Sequence, residues 1–362
     1  MSESAMLPPI VDGDGHVLED LQGIIRHLPS RYREEFQQQR IGRLFPPMDH
    51  FHEMPMLVRG FGERSGATVG IDEWRQFSAA VGIEHTVLYP SLALSFGKIR
   101  DREWANLAAH AYNDWLAETY LSADSLFSGM ALIPLQETAL AVAELRRAVE
   151  DLGLSGAMLP SHGQPLHLGS KEYWPIYEAA ENLGCAIAVH GACHDGLGFD
   201  DMNVYAAAHA LGHPFGQLIS LAGMLFNGVF DHFPGLRVGY LEGGSAWILL
   251  ALERFDESHE SHIPIDERRE LVQLGESQDI SDYLLDLLRS GRVVLGCEGG
   301  ERNLEDAVRT VGRSPFFYSS DFPHEVDEES CKKELSRLSN LDIPAADREA
   351  TLAGNARAFY RL

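Results

Sequence analysis

The motif Asp-Gly-Asp-Gly-His, which begins at Asp12, places carboxylate and imidazole groups at every second position of the chain. Residues 9–14 form the first apolar run and predict a strand, whose side chains alternate between two faces. If the strand continues, Asp12, Asp14 and His16 share one face, with about 6.6 Å between successive members. Two carboxylates and an imidazole that emerge together from a strand can hold a divalent metal.

The same motif has other interpretations. Asp and Gly dominate turns, so the motif is also typical of a turn that binds nothing. It begins like a calcium-binding EF-hand loop, but its sixth position is Val17 instead of Gly and its twelfth is Gly23 instead of Glu. The choice between a metal site and a turn therefore depends on residues further along the chain.

The elements that would position these groups alternate along the chain. Eight apolar runs predict strands at residues 9–14, 85–90, 127–134, 156–160, 185–190, 236–242, 292–298 and 316–321. Segments with helical periodicity lie between them, at residues 102–120, 137–152, 173–183, 217–233, 246–255, 280–290 and 304–311. This α/β alternation predicts a parallel sheet, and the count of eight favours a closed (β/α)8 TIM-like barrel over an open doubly wound sheet.

In such a barrel, the C-terminal ends of all the strands converge on one mouth. Acidic or imidazole residues stand at or just after five of the predicted strand ends, namely Asp14, His16, Glu19, His190, Glu242, Glu298 and Asp321. So many carboxylates buried side by side would repel one another unless cations neutralised them. The set therefore predicts a metal centre at the mouth.

Each strand-end residue also has an ordinary structural explanation. His190 could be a core histidine that is satisfied by a backbone carbonyl. Glu242 and Glu298 could stabilise the N-termini of the helices that follow them. Asp321 stands two residues before Pro323 and could form an Asx turn. It is the gathering of all of them at one mouth that favours the metal interpretation.

Three further histidines lie near the predicted strand ends. His213 follows the fifth strand in a predicted loop, where it could bind a metal, contact a substrate or face solvent. His194 lies in the same loop, and we expect it at the surface. His324 is expected to brace Asp321 through a hydrogen bond rather than to bind the metal itself.

We expect one barrel domain over residues 1–362, enlarged by insertions after strands 1, 5 and 6. The first insertion, residues 21–70, is rich in Met, Phe and Pro, and predicts either an apolar lid over a pocket or a packing arm of a dimer. Residues 194–214 and 256–279 form the other two insertions. The tail, residues 344–362, predicts a helix that closes against the barrel.

The composition argues against several classes of protein. With 29 basic and 54 acidic residues the formal net charge is −25, which disfavours binding to nucleic acid or to an anionic membrane surface. No apolar run of about 18 residues predicts a membrane span, and the first ten residues lack the features of a secretory signal. Four widely spaced cysteines predict reduced thiols in a cytoplasmic protein.

The order of these motifs resembles the amidohydrolase-related family, in the branch that contains aminocarboxymuconate semialdehyde decarboxylase. The resemblance runs along essentially the whole chain and rests on the motifs that begin at Asp12, His190, Glu242 (Glu-Gly-Gly), Ser320 (Ser-Asp-Phe-Pro-His) and Gly354 (Gly-Asn-Ala). It implies a metal-dependent barrel. It also implies a set of metal ligands, which in this chain are Asp14, His16, His190 and Asp321.

Two positions depart from the pattern of that family. Its first strand carries His-x-His, where this chain has Asp14 and His16. Its decarboxylases use a histidine before the Gly-Gly pair as a general acid/base, and that position is Glu242 here. A glutamate takes over such a proton transfer near neutral pH only if burial raises its pKa. The resulting pocket is rich in carboxylates, which suits iron or manganese better than zinc.

The excess of carboxylates leads to our first functional hypothesis, a dinuclear non-heme iron (or iron/manganese) monooxygenase, which is a small branch of the family. Asp14, His16, His190 and Asp321 would hold one metal. Glu298 and Glu242, with Glu19 or His213, would hold a second metal that binds O2. The expected substrate is a small apolar carboxylic acid or its thioester under the Met/Phe/Pro segment, and the expected assembly is a homodimer.

The alternative hypothesis is a mononuclear hydrolase or non-oxidative decarboxylase, with zinc as the expected metal. There the metal would polarise a carbonyl group and activate water, and Asp321 would act as the general base. Most members of the resembled family are hydrolases or decarboxylases. A third possibility, an inactive barrel that serves as a scaffold, offers no reason for five metal-competent strand ends.

Overall fold

In a computed structural model of the chain, residues 9–51, 69–267, 271–276, 278–324 and 326–362 are described. Their eight strands form one sheet in which every strand pairs in parallel with the next one along the chain. The sheet curves into a nearly closed barrel with helices between the strands, which confirms the predicted (β/α)8 fold. The strands are β1 (Ile10–Val17), β2 (Ile83–Pro90), β3 (Phe127–Leu132), β4 (Gly156–Pro160), β5 (Ala186–His190), β6 (Val238–Tyr240), β7 (Val293–Cys297) and β8 (Phe316–Tyr318).

Helices follow the strands and cover the outside of the sheet. The α-helices of the described ranges are α1 (Leu21–Arg26), α2 (Ser30–Gln37), α3 (Ile71–Val81), α4 (Arg102–Leu116), α5 (Thr138–Glu150), α6 (Trp174–Leu183), α7 (Tyr205–Phe226), α8 (Val229–His232), α9 (Ala246–His262), α10 (Ile280–Ser290), α11 (Leu304–Val311), α12 (Glu328–Ser339), α13 (Ala345–Glu349) and α14 (Asn355–Tyr360). A 3₁₀ helix, Leu92–Lys98, follows β2.

The seam between the first and last strands is closed by backbone hydrogen bonds just beyond β8. Asp321 N–H donates to the carbonyl of Asp14 at 3.0 Å, and His16 N–H donates to the carbonyl of Phe322 at 2.7 Å. The register of β1 against β2 shifts between Asp12 and Gly15. These contacts place the first-strand motif directly beside the residues that follow the eighth strand.

The C-terminal tail ends in a helix that packs against the barrel, as the sequence predicts. Phe359 and Tyr360 on α14 are buried against Phe317 of β8. Tyr360 hydroxyl donates to the carbonyl of Gly13 at 2.7 Å and lies 2.7 Å from the hydroxyl of Tyr89. The tail therefore ties β1, β2 and β8 together.

Several helices differ from the sequence-based expectation, and α1, α2 and α12 lie where no helix was predicted. Helix α3 was not predicted, although Trp74, Phe77 and Val81 are buried at helical spacing and Glu73 caps its first turn. Helix α7 begins at Tyr205 rather than at residue 217, so that His213 lies on a helix and not in a loop. Helix α9 runs on to His262, well into the predicted insertion at residues 256–279.

Within the described part of the chain, no helix is both long enough and apolar enough to span a lipid bilayer.

Candidate metal centre

Strand β1 brings Asp14 and His16 to the mouth of the barrel, and both side chains are completely buried. The Nδ1 atom of His16 lies 2.8 Å from the carbonyl oxygen of Pro90. Nδ1 therefore carries the ring proton and donates a hydrogen bond to this carbonyl. The other ring nitrogen, Nε2, is then left with its lone pair, 3.5 Å from Asp14 Oδ1. A backbone carbonyl that fixes the tautomer in this way is typical of histidines that bind metals.

His190, the last residue of β5, is held in the same way. Its Nδ1 atom donates to the carbonyl of Gly191 at 2.7 Å, and its Nε2 atom lies 3.3 Å from Asp14 Oδ1. A side chain at position 191 would clash, because a Cβ atom there would lie 1.8 Å from His213 Nδ1 and 2.9 Å from Glu242 Oε2. The glycine after His190 therefore allows three polar side chains to approach one point.

Glu242 and Asp321 approach the same point from the ends of β6 and β8. Their backbones have φ angles of 55° and 54°, a left-handed conformation that costs energy for residues other than glycine. Asp321 Oδ1 lies 3.4 Å from His16 Nε2, and Glu242 Oε1 lies 3.8 Å from the same nitrogen. Strained backbone of this kind is concentrated at functional sites, where it aims a side chain that regular structure would direct elsewhere.

Two more histidines contact these carboxylates. His324 Nδ1 lies 2.6 Å from Asp321 Oδ1, and its Nε2 atom lies 2.9 Å from the hydroxyl of Ser91. This contact with Asp321 matches the bracing role expected for His324. His213, on α7, has its Nδ1 atom 3.2 Å from Glu242 Oε2, so it contacts a carboxylate of the group from the outside.

The charges of the group influence one another strongly. Burial raises the pKa of Asp14, and it lowers the pKa of His16 well below its ordinary value. Burial alone would also lower the pKa of His190, but the carboxylates of Glu242 and Asp14 raise it to about 9. Burial raises the pKa of Glu242 to about 7. The negative potential that favours a proton on His190 equally favours a metal cation at the mouth.

The ligand atoms themselves fit a divalent metal. Both carboxylate oxygens of Asp14 and the Nε2 atoms of His16 and His190 are buried and find no hydrogen-bond partner among the described residues. Buried polar groups are almost always satisfied, so four unsatisfied atoms in one place call for an explanation. Two groups of side chains have ligand atoms within 4.8 Å of one another and share His16, namely Asp14/His16/His190 and His16/Glu242/Asp321/His324. Imidazole nitrogens combined with carboxylate oxygens suit zinc, manganese or iron.

Glu19 is engaged elsewhere. Its carboxylate accepts hydrogen bonds from the backbone N–H groups of Ser91, Leu92 and Ala93, at 3.1, 3.0 and 2.9 Å. It thereby caps the 3₁₀ helix Leu92–Lys98. The structure therefore places Glu19 outside the group of candidate ligands, with its oxygens already satisfied by the chain.

Glu298 is close to the group but is not a member of it. Its carboxylate is not part of either set of ligand atoms found within 4.8 Å in the described chain. Burial raises the pKa of Glu298 well above its ordinary value, and Asp321, Glu301 and Glu242 add to the effect. Glu298 therefore borders the site as a carboxyl group that favours its protonated form.

Asp12 contacts the neighbouring strand end rather than the candidate metal ligands. Its two oxygens accept hydrogen bonds from the backbone N–H and the hydroxyl of Ser320, both at 2.8 Å. Asp12 belongs to neither group of candidate ligand atoms in the described chain, so the expected row of Asp12, Asp14 and His16 around one metal does not form. Asp12 instead fixes the segment that carries Asp321.

The described part of the first insertion lies across the mouth. Phe51 packs with Phe199 and Ala208 in a small apolar cluster that is separate from the main core. Lys98 donates to the carbonyls of Pro47 and Met48 at 2.8 and 3.0 Å. Residues 46–51 thus touch the segments that follow β2 and β5. Residues 52–68, which hold much of the Met/Phe/Pro sequence, lie outside the described residues, and the lid and dimer-arm interpretations stay predictions.

His194 is buried, which corrects the expectation that it lies at the surface. Its Nδ1 atom lies 2.8 Å from Asp49 Oδ2, so the insertion and the loop after β5 are joined by a buried pair. No local sequence pattern pointed to Asp49, because its partner His194 is distant along the chain. Gly191 could have been noticed, since a glycine directly after a functional strand end often marks a close approach.

A profile of the family described as Amidohydrolase matches residues 89–362. The chain belongs to the amidohydrolase family. Among curated proteins, this amidohydrolase is 26% identical over 295 residues to the gamma-resorcylate decarboxylase of Polaromonas sp., which covers 78% of this chain and 84% of that protein. It is 31% identical to the 2-amino-3-carboxymuconate-6-semialdehyde decarboxylase of Dictyostelium discoideum over 139 residues, 38% of each chain.

Solved structures of decarboxylases share the fold of this amidohydrolase. The dihydroxybenzoic acid decarboxylase of Polaromonas sp., with bound manganese and the inhibitor 2-nitroresorcinol, has a TM-score of 0.69, 21% identity and 98% coverage of both chains. The 5-carboxyvanillate decarboxylase of Novosphingobium aromaticivorans, also with manganese, has a TM-score of 0.72 and 19% identity, and covers 99% of this chain and 97% of that one.

These comparisons overturn the leading functional hypothesis. The matched relatives are decarboxylases and not oxidoreductases, so the hypothesis of a dinuclear iron monooxygenase is wrong and the alternative is the better supported one. A pair of irons has no support either. The error has a physical origin, because the hypothesis counted Glu19 and Glu298 as ligands of a second metal. Backbone amides engage Glu19, and Glu298 lies outside the cluster.

Proposed function

We propose that this chain is a metal-dependent, non-oxidative decarboxylase of a small aromatic carboxylic acid. The observation that carries the proposal is the convergence of Asp14, His16 and His190 with buried, unsatisfied ligand atoms at the mouth of the barrel. The similarity to gamma-resorcylate decarboxylases, which covers 78% of this chain, supports the choice of reaction and of substrate class.

The proposed ligands of the metal are Asp14, His16, His190 and Asp321, with Glu242 beside them. One divalent ion would satisfy this set, and manganese is the proposed metal because solved structures of the same fold contain it. Such an ion would bind oxygen atoms of the substrate and stabilise the negative charge that develops as the carboxylate leaves.

The remaining chemistry falls to the chain's own side chains. Decarboxylation breaks the bond between the ring and the carboxylate, releases CO2 and requires one proton on the ring carbon. Burial lowers the pKa of His324, but the carboxylate of Asp321 at 2.6 Å raises it well above its ordinary value, so His324 would hold this proton and Asp321 would stabilise it there as the carboxylate. His324 also contacts the hydroxyl of Ser91, which keeps its ring turned toward Asp321.

Glu242 takes the position of the family's histidine, and its surroundings suggest a different role. It lies between His213, at 3.2 Å, and His190, at 3.6 Å, so two imidazoles share one carboxylate. In this arrangement Glu242 orients His190 toward the metal and also adds negative charge beside it. Because burial raises the pKa of Glu242 to about 7, its carboxyl group can also exchange a proton near neutral pH, so we assign Glu242 both to positioning His190 and to proton transfer beside the Asp321–His324 pair.

The apolar cluster around Phe51 would keep bulk water from the reacting carbon. Phe51, Phe199 and Ala208 are buried together on the same side as the mouth. Exclusion of water strengthens the electrostatic interactions inside a site. An aromatic ring is a suitable occupant of the space beneath such a surface.

The test is to measure CO2 release from 2,6-dihydroxybenzoate and 5-carboxyvanillate by protein loaded with manganese, with and without O2. We expect release of CO2 at the same rate without O2, together with about one metal ion per chain. The variant His190→Ala should lose the metal and the activity while its circular dichroism spectrum stays unchanged. Turnover that requires O2, or no decarboxylation of any aromatic acid by the metal-loaded protein, would refute the proposal.

A further inference from the structure

The first insertion is attached to the rest of the barrel at two separate places. One attachment is Lys98, whose ammonium group donates to the carbonyls of Pro47 and Met48. The other is Asp49, whose carboxylate lies 2.8 Å from Nδ1 of His194 in the loop after β5. Lys98 is partly exposed, whereas Asp49 and His194 are both buried. Both attachments hold the same segment, but only the second lies in the interior.

The ring of His194 lies between the insertion and helix α7. A Cβ atom at position 212 of this helix would lie 2.1 Å from Cδ2 of His194 and 2.5 Å from its Nε2 atom, so the ring fills the space that Gly212 leaves open. A glycine inside a helix costs about 1 kcal/mol relative to alanine. Nε2 of His194 is buried and has no hydrogen-bond partner among the described residues. Packing against α7 and the bond to Asp49 therefore fix the position of the ring.

The next residue of the helix, His213, connects this ring to the candidate metal centre. The ring centroids of His194 and His213 lie 5.2 Å apart, and the two rings are nearly perpendicular. On its other side, His213 has its Nδ1 atom 3.2 Å from Glu242 Oε2. The same carboxylate oxygen lies 3.6 Å from Nδ1 of His190, which is a proposed metal ligand. A continuous series of side-chain contacts therefore leads from Asp49 to the metal centre.

The imidazole rings on this side of the mouth are too far apart to hold an ion of their own. His209 lies one helical turn before His213, with ring centroids 4.8 Å apart, and 6.5 Å from His194. Two nitrogen atoms that bind one ion at about 2.1 Å each are separated by at most about 4.2 Å. In the described chain these three histidines do not form a set of ligand atoms within 4.8 Å of one another. Their contacts are therefore better suited to fixing positions than to binding a cation.

We propose that His194 is a positioning residue of the metal centre, which couples the attachment of the insertion to the orientation of His213 and Glu242. The inference rests on the metal-dependent function proposed above. Asp49 holds the His194 ring against α7, and the ring prevents His213 from turning away from Glu242. If the pair with Asp49 is broken, His213 gains freedom to rotate and the carboxylate of Glu242 loses a fixed neighbour.

This coupling acts in both directions. Groups that orient the metal ligands from behind contribute to metal affinity, so a misplaced Glu242 would weaken the hold on the metal. By the reciprocity of linked equilibria, a bound metal would in turn stabilise the attachment of the insertion through Asp49. The covered mouth and the assembled metal centre would therefore favour each other.

The first experiment titrates metal-free protein with manganese and compares His194→Asn with the unmodified chain. The asparagine amide can still donate to Asp49, but the shorter side chain cannot reach His213. We expect manganese to bind about tenfold more weakly at an unchanged circular dichroism spectrum. The electron paramagnetic resonance spectrum of the bound manganese should change as well, because the geometry around the ion is altered.

The matched control is Lys98→Met, which removes the other attachment of the same segment and touches none of the residues between Asp49 and His190. This variant should bind manganese as tightly as the unmodified protein and give the same spectrum. Equal losses of affinity in Lys98→Met and His194→Asn would overturn the proposal, because attachment of the insertion alone would then explain both.

A second experiment tests whether His194 acts through His213. In protein that already carries His213→Ala, adding His194→Asn should cause no further loss of manganese affinity, since the contact between the two rings is gone. Gly212→Ala should weaken binding although it favours the helix, because its Cβ atom displaces the His194 ring. Fully additive losses in the double variant would contradict the proposal.

The titration also separates this inference from the proposed function. An unmodified protein that binds no manganese would refute both. Tight binding by the unmodified protein that is the same in His194→Asn would overturn the positioning role of His194 and leave the proposed metal centre intact.

Discussion

Two carboxylates, Glu144 and Asp14, are both completely buried, yet the chain treats them in opposite ways. Glu144, on α5, accepts hydrogen bonds from Asn113 at 2.6 Å and from Arg147 at 2.7 and 3.0 Å, and His110 lies 2.8 Å away. Asp14 has no hydrogen-bond partner among the described residues for either oxygen. The protein therefore provides hydrogen-bond and ion-pair partners that compensate the buried charge of Glu144, and it provides none of these for Asp14.

The pKa values follow the same division. Burial would raise the pKa of Glu144, but His110, Arg147 and Asn113 lower it below its ordinary value. Burial raises the pKa of Asp14, and its histidine neighbours do not offset this. A buried carboxylate that the protein supplies with hydrogen-bond and ion-pair partners has a structural role. A buried carboxylate without such partners is the kind of group that binds a metal ion. This difference separates structural carboxylates from ligands better than residue type does.

The largest effect is expected from the uncompensated carboxylate. Asp14→Asn should abolish metal binding and lower kcat/KM by at least about a thousandfold, roughly 4 kcal/mol in the barrier, because a charged ligand is lost. The unfolding free energy of the metal-free protein should not fall, since an unsatisfied charge is removed. Metal analysis, kinetics and urea unfolding measure the three quantities. A clear loss of stability without metal would show that Asp14 is structural.

The compensated carboxylate should give the reverse result. Glu144→Gln leaves Arg147 without its buried partner and should lower the unfolding free energy by roughly 2–4 kcal/mol. Metal content and kcat/KM at a temperature where the variant is folded should stay unchanged. Urea unfolding with parallel metal analysis tests this. If the variant lost its metal while remaining stable, the division between the two regions would be wrong.

Glu19 offers an intermediate case, because it is compensated by the chain but lies beside the metal centre. Glu19→Gln weakens three charge-assisted hydrogen bonds and should lower the unfolding free energy by about 1–2 kcal/mol. Metal affinity should fall by about tenfold, since the segment that Glu19 holds also orients His16. Titration of the metal-free variant with manganese measures the affinity. A complete loss of binding would instead make Glu19 a ligand.

The sequence predicted the positions of those site residues that are determined by the order of the strands alone. Eight strand–helix repeats predicted the barrel, and the rule that strand ends converge predicted that His16, His190 and Asp321 would meet. These residues are far apart in the chain, yet the order of the parallel strands is enough to predict that they lie close together. The arrangement of the candidate site was therefore largely predictable without coordinates.

The sequence could not show which carboxylates already have hydrogen-bond partners within the protein. Nothing in the residue type of Glu19 reveals three backbone amides at its oxygens, and the second metal of the first hypothesis depended on it. The start of α7 was missed for a related reason. Pro214 and two glycines lower the helix propensity of this segment, and the buried contacts of Gln217 override that preference. Both errors arise from long-range contacts that local patterns do not encode.

The short segment that leaves β2 has a consequence for how the barrel tolerates changes in length. The carbonyl of Pro90 accepts a hydrogen bond from His16, and the N–H groups of the next three residues donate to Glu19. Two side chains, one on β1 and one just after it, therefore hold this segment in place. Inserting or deleting one residue there would shift both partners at once and rotate the lone pair of His16 away from its neighbours. The hydrogen bonds made by Pro90, Ser91, Leu92 and Ala93 therefore constrain the length of the loop that follows β2.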